Sequence, residues 1–163
     1  MNQRFSSIAA ALAMAAVAAA APAYATDLIP YEQYRAAKLA DLTAPPQHDA
    51  VAIAISPDTD RRDFHVKFTG EHRPVGAATA DFIAQYMRTA HALPALATCK
   101  EEYRFTEGGK DYWLPVEAAA DDEMTSEMSP GDSADLYANV LGFAQQGAAW
   151  TPVIVVEEVQ TPN

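Results

Sequence analysis

Residues 99–114 constrain the fold more than any other stretch of the chain. Cys99, Glu101, Tyr103 and Phe105 alternate with Lys100, Glu102 and Arg104, then Gly108-Gly109 intervenes, and Tyr112-Trp113-Leu114 returns. Period-two alternation is the signature of a half-buried strand. Two consecutive glycines accept the positive φ angles of a tight hairpin turn without steric cost. The segment therefore predicts an antiparallel hairpin. Pro115, which has no N–H to donate, ends the pairing or marks a sheet edge.

The same alternation recurs on both sides of this hairpin. Val51, Ile53 and Ile55 alternate with alanines, and Phe64, Val66 and Phe68 alternate with His65 and Lys67. Pro57-Asp58-Thr59-Asp60 between them is turn chemistry, so this pair also predicts a hairpin. Two last strands are expected over 134–141 and 153–159, with Trp150 in the loop that joins them. Helical spacing appears in three places. Leu28, Tyr31, Tyr34, Leu39 and Leu42 suggest an N-terminal helix over 26–42, closed by Pro45-Pro46. Ile83, Met87 and Ala90, flanked by Phe82 and Tyr86, suggest a helix from about Ala80 to His91, with Thr79 as N-cap and Pro94 beyond its end. Val116, Ala120, Met124 and Met128 form one stripe of a short acidic helix over 116–128.

These elements predict an α+β chain, mainly antiparallel β: about six strands in a small curled sheet or barrel, two short helices and an N-terminal helix. A strand pair, a short helix and a second strand pair resemble part of an OB-like or SH3-like small barrel. The helix over 80–91 has no place in the standard OB order. Architecture of this kind does not carry a function with it.

The first 25 residues read as a cleavable secretory signal. Arg4 is their only charge, an apolar run follows from Ile8 to Ala21, and Ala23-Tyr24-Ala25 supplies small residues where a signal peptidase needs them. The run is mostly alanine, weaker than the roughly 20 strongly apolar residues of a spanning helix. The expected organisation is a signal peptide at 1–25, a helical arm at 26–47 and one β-rich domain at 48–163. The expected location is the periplasm, or the medium if the host has a single membrane, with no membrane insertion after cleavage.

Charge narrows the partners. The chain carries 22 Asp and Glu against 11 Lys and Arg. Residues 111–163 contain no Lys, Arg or His and ten acids. Such a surface repels nucleic-acid phosphates and anionic lipid, and would attract a cationic protein or a cell-wall component. Glu117, Asp121, Asp122, Glu123 and Glu127 on the acidic helix, with Trp150, are the candidate binding residues.

No motif for a nucleophile, a phosphate loop or a bound cofactor is present. No catalytic residue is assigned and no cofactor is implied. Cys99, the single cysteine, cannot close an intramolecular disulfide and shares a face with Tyr103 and Phe105, a core setting. His65, Glu71 and His72 are the one set of candidate metal ligands, of a type that can hold zinc. Asp58, Asp60 and Asp63 fail as a calcium loop, because the fifth position is Arg62 and the sixth is Asp63 rather than glycine. Three functions are compatible with these features. The first is a non-enzymatic binding or accessory module of the bacterial envelope, working through the acidic face in 111–163. The second is a small envelope hydrolase, metal-assisted through His65, Glu71 and His72. The third is an inhibitor of a basic extracytoplasmic enzyme.

Overall fold

A computed structural model describes residues 30–42, 53–89, 99–146 and 149–162. The leader, Leu28, Pro45-Pro46, Val51, Ala90, His91 and Pro94 lie outside the described residues. The strands are β1 (Arg35–Ala37), β2 (Ile53–Pro74), β3 (Glu101–Glu107), β4 (Lys110–Val116), β5 (Ser133–Gln146) and β6 (Ala149–Gln160). The helices are α1 (Ala77–Thr89), between β2 and β3, and α2 (Ala118–Glu127), between β4 and β5. The sheet runs β1-β2-β3-β4-β6-β5, and β5 pairs back to β2, which closes a five-stranded barrel with β1 outside it. That order, with a helix between the third and fourth barrel strands, is OB-like, and α1 is an insertion into it.

The expected hairpin does not form over the described residues 53–69, residues 50–52 lying outside them: Ile53–Pro74 is one strand, β2, and both flanks of the expected turn lie antiparallel to β5. Ile55 pairs with Gly142 and Asp60 with Val140, so Pro57-Asp58-Thr59 lies in a bulge of the strand rather than in a reversal. A bulge adds residues without turning the chain round. A second irregularity lies between Phe68 and His72. It contains Gly70 at φ 82°, where an added Cβ would come within 2.5 Å of Pro130 Cγ. Strand β2 pairs with β5 as far as Lys67 and with β3 from Lys67 to Pro74, so it serves two walls of the barrel, and the bend lies within its β3 half.

The hairpin at Gly108-Gly109 forms as expected, with both glycines at positive φ and Glu107 paired to Lys110. The N-terminal arm departs from a helix. Residues 30–42 make two single 3-10 turns, Tyr31–Gln33 and Leu39–Asp41, on either side of β1, which runs parallel to β2 at Arg62–Phe64. Leu39 is buried in the barrel core, and the Glu107 carboxylate accepts the Leu39 and Ala40 N–H groups at 3.1 and 3.2 Å. These contacts outweigh the helical spacing of the arm's apolar residues.

Two apolar clusters hold the domain. Inside the barrel, Phe64, Phe105 and Leu136 are fully buried, and α2 closes the cluster with Ala120 and Met124. The stripe from Val116 to Met128 faces this core, as its spacing predicts. Outside the barrel, α1 lays Phe82, Ile83 and Tyr86 on Leu141, Val153 and Val155. Helix α1 begins at Ala77, and the Gly76 carbonyl accepts the Ala80 N–H at 2.9 Å, so Thr79 lies within the first turn and does not cap it. Among the described residues, no helix is long and apolar enough to cross a membrane.

Candidate functional site: a cleft between two strand edges

The barrel is not zipped all the way round. Strands β4 and β6 meet in a parallel sense at a single register pair, Val116 with Val156, reinforced by the Glu117 N–H donating to the Val156 carbonyl at 2.9 Å. The reason they part is local and chemical. In a parallel ladder each facing residue bonds to two residues of the partner. Extending this ladder by one step would need an N–H at position 115 for the Ile154 carbonyl. The following step would need an N–H at position 152 for the Asp111 carbonyl. Both positions are proline, so each step loses a donor.

The register on the far sides of the two strands agrees. The two-residue turn closes on the Glu107–Lys110 pair, and alternation along the ladder then turns the backbone groups of Asp111, Trp113 and Pro115 away from β3. By the same alternation against β5, Trp150, Pro152 and Ile154 present their backbone groups away from that strand. Apart from the Pro115 carbonyl, which the Val116–Val156 pair gives to the Val156 N–H, the two walls face each other with backbone groups that no described register pair engages.

Between them lies a cavity of about 510 Å³. Its walls are the Asp111–Pro115 and Trp150–Ile154 stretches, and the first turn of α1 with Gly76 borders it. Arg73 and Glu102 complete the lining. Glu102 is only 3% exposed and accepts from Arg73 Nε at 2.5 Å. The same guanidinium lies over the Trp113 ring, 3.9 Å from its centroid, a cation–π contact. A buried carboxylate requires such a partner to offset its desolvation. Trp150 also lines the cleft, and its indole N–H is shut from water without an acceptor among the described residues.

Trp150 is not in a loop, as its sequence context suggests, but in β6 opposite Gln145. Its neighbour in sequence Pro152, and Pro115 and Trp113 across the cleft, were not singled out as site residues. The sequence places Pro115 at the end of one strand pattern and Pro152 just before another, which marks both strand ends but not that they come together. Nothing in the sequence announces Arg73 or Glu102.

The five acidic candidates separate. Asp122 and Glu127 are exposed on α2, and Glu123 is half-buried beside Glu158 and Glu127, with its carboxyl raised by desolvation first and by those charges second. Asp121 accepts from the Tyr103 hydroxyl. Glu117 is buried, so it does not belong to a surface face. Desolvation, then the nearby Glu157 charge, pushes its carboxyl up from 4.5 to about 7, and its Oε1 has no hydrogen-bond partner among the described residues. Glu157 accepts from Tyr34 Oη at 2.7 Å and from Asn139 Nδ2 at 2.5 Å, and burial raises it as well. Cys99 packs beside the α1 cluster, and burial, helped by Glu117, pushes its thiol up to about 12. That environment makes a poor nucleophile, because the reactive species is the thiolate.

His65, Glu71 and His72 do not converge. His65 Nδ1 lies 2.6 Å from Asp135 Oδ1, Arg104 donates to Glu71, and His72 Nδ1 lies 3.3 Å from Glu101 Oε2 while its ring stacks on Tyr103. Their side chains are engaged by three different partners. Among the described residues, no three His, Cys, Asp or Glu side chains are grouped so as to hold a metal ion. None of the three lines the cleft.

No protein-family model matches the chain. No curated protein matches it at a significant level.

Proposed function

We propose that this chain is an exported, non-enzymatic binding module of the bacterial envelope, and that it holds its partner in the cleft between β4 and β6. The observation that carries this reading is the cleft itself: two strand edges kept apart by Pro115 and Pro152, with both tryptophans of the chain along it. Tryptophan at a concave surface supplies much of the contact energy in recognition sites. The titratable side chains of the lining are Arg73 and Glu102, paired to each other, Asp111, which accepts from Thr106 and lies 3.7 Å from Arg104, and Tyr112. That inventory suits binding better than acid–base hydrolysis, which needs a free carboxyl pair or a histidine within reach of the substrate.

The acidic residues take a second role in this reading. Asp122, Glu123 and Glu127 set a negative field that steers a cationic partner, rather than forming the contact surface. Steering of this kind weakens as salt screens it. The test is affinity capture from an envelope extract with the tagged chain. A partner retained by the wild type, lost with Trp150→Ala, and retained with Asp122→Asn/Glu123→Gln/Glu127→Gln at a slower on-rate supports the cleft. A partner that ignores Trp150→Ala but is lost with the α2 triple variant returns the site to the acidic face.

A further inference from the structure

We infer that the cleft takes an extended peptide segment bearing Lys or Arg side chains, which adds as a strand between the free edges of β4 and β6. This rests on the cleft being the binding site and names what it binds. Beyond the Val116–Val156 pair no described register pair joins the two strands, so the outward backbone groups of Asp111 and Trp113 along β4, and of Trp150 with the carbonyl of Pro152 along β6, lie outside any described ladder. Such rows recognise main chain, and a guest strand satisfies them with its own N–H and C=O groups. From Asp111 to Pro115 the wall spans four steps, about 13 Å at about 3.3 Å per residue, which faces about five extended residues.

Two observations select the chemistry of the guest. The first is charge: residues 111–163, which supply both walls, contain ten acids and no Lys, Arg or His, and Asp111 stands exposed on the wall of β4, where Thr106 Oγ1 donates to it at 3.0 Å and Arg104 lies 3.7 Å away, leaving it accessible to a further cation. A cationic guest is complementary to that field and an acidic one is opposed by it. The second is the state of Trp113. Its ring already carries the Arg73 guanidinium at 3.9 Å, so that face is not open for a sugar ring to stack on. A peptide needs only the backbone edge of Trp113, which the Arg73 contact leaves untouched.

The test selects a displayed random decapeptide library on the purified chain. Selected peptides are then synthesised with and without N-methylation at alternate residues. Titrations are followed by tryptophan fluorescence, which reports on this cleft because both tryptophans of the chain line it. The expected result is enrichment of Lys and Arg, a saturable fluorescence change, and affinity that falls at least about tenfold when the paired N–H groups are methylated. Selection of no saturating peptide overturns the inference. So does a preference for acidic peptides, or indifference to N-methylation. A tetramer of β-1,4-linked N-acetylglucosamine is titrated in parallel. If it saturates the signal where peptides do not, the peptide inference falls while the cleft stands as a binding site. Loss of the captured partner's dependence on Trp150 is instead the failure of the broader reading.

Discussion

Glu117 is buried at the start of α2 with one carboxyl oxygen unpartnered among the described residues, and it should make the fold less stable as the solution becomes neutral. Burial first, and the Glu157 charge second, raise its carboxyl from 4.5 to about 7. Between those two pH values the folded chain holds a proton on Glu117 that the unfolded chain has released. Stability falls with rising pH wherever the folded state binds more protons, so the loss begins near pH 4.5 and is complete a little above pH 7. At about 1.36 kcal/mol per pH unit the full difference is worth at most about 3.4 kcal/mol. Residual contact of the carboxyl with water brings the expected size to about 2 kcal/mol. Glu117→Gln keeps the shape and removes the charge. Chemical denaturation of both proteins at pH 5 and pH 8 measures it. The variant should gain about 2 kcal/mol over the wild type between pH 5 and pH 8. Other carboxyls raised by burial, such as Asp63 and Glu157, are common to both proteins and largely cancel in the difference. Parallel curves for the two proteins, or a wild type favoured at pH 8, would refute the reasoning.

Three further outcomes are expected. Pro115→Ala restores a donor facing the Ile154 carbonyl, so the amide at position 115 should become protected from hydrogen exchange and the cleft should narrow, with weaker partner binding; an amide that exchanges freely shows that the proline is not what parts the strands. Gly70→Ala should cost about 1–3 kcal/mol, because φ 82° is unfavourable for a side chain and the new Cβ meets Pro130. Adding Pro130→Ala should recover the contact part of that cost and leave the backbone part, and full additivity of the two changes in thermal melts would contradict the contact. Cys99 should react with a disulfide reagent at pH 8 about three orders of magnitude more slowly in the folded chain than in the unfolded one, and comparable rates would show an open thiol.

Much of the fold was legible because alternation and turn chemistry are local signals. The hairpin from Glu101 to Val116, the stripe from Val116 to Met128 and the apolar face of α1 could each be read from spacing alone. What misled was also local. Pro57-Asp58-Thr59-Asp60 has the composition of a turn, yet the pairing of both flanks with the same strand β5 keeps β2 running straight on. The arm has the spacing of a helix, yet Leu39 is drawn into the barrel and Glu107 captures the N–H groups that a longer helix would have used. The candidate site was less legible still. Trp150 was visible as an aromatic outlier, but the cleft depends on two prolines more than 35 residues apart falling on successive steps of one β4–β6 ladder. That relation exists only once the barrel closes. Glu117 reads in sequence as one of a run of acids because its charge is visible there, whereas its burial exists only in the fold.

The central claim is that recognition happens along the unpaired edges of β4 and β6. Amide hydrogen exchange, measured on the chain alone and saturated with its captured partner, tests it most directly. The account predicts new protection at the amides of Trp113, Trp150 and Ile154, with the amides of α2 unchanged. Protection confined to α2, or spread evenly over the barrel with those three amides still exchanging, would contradict it.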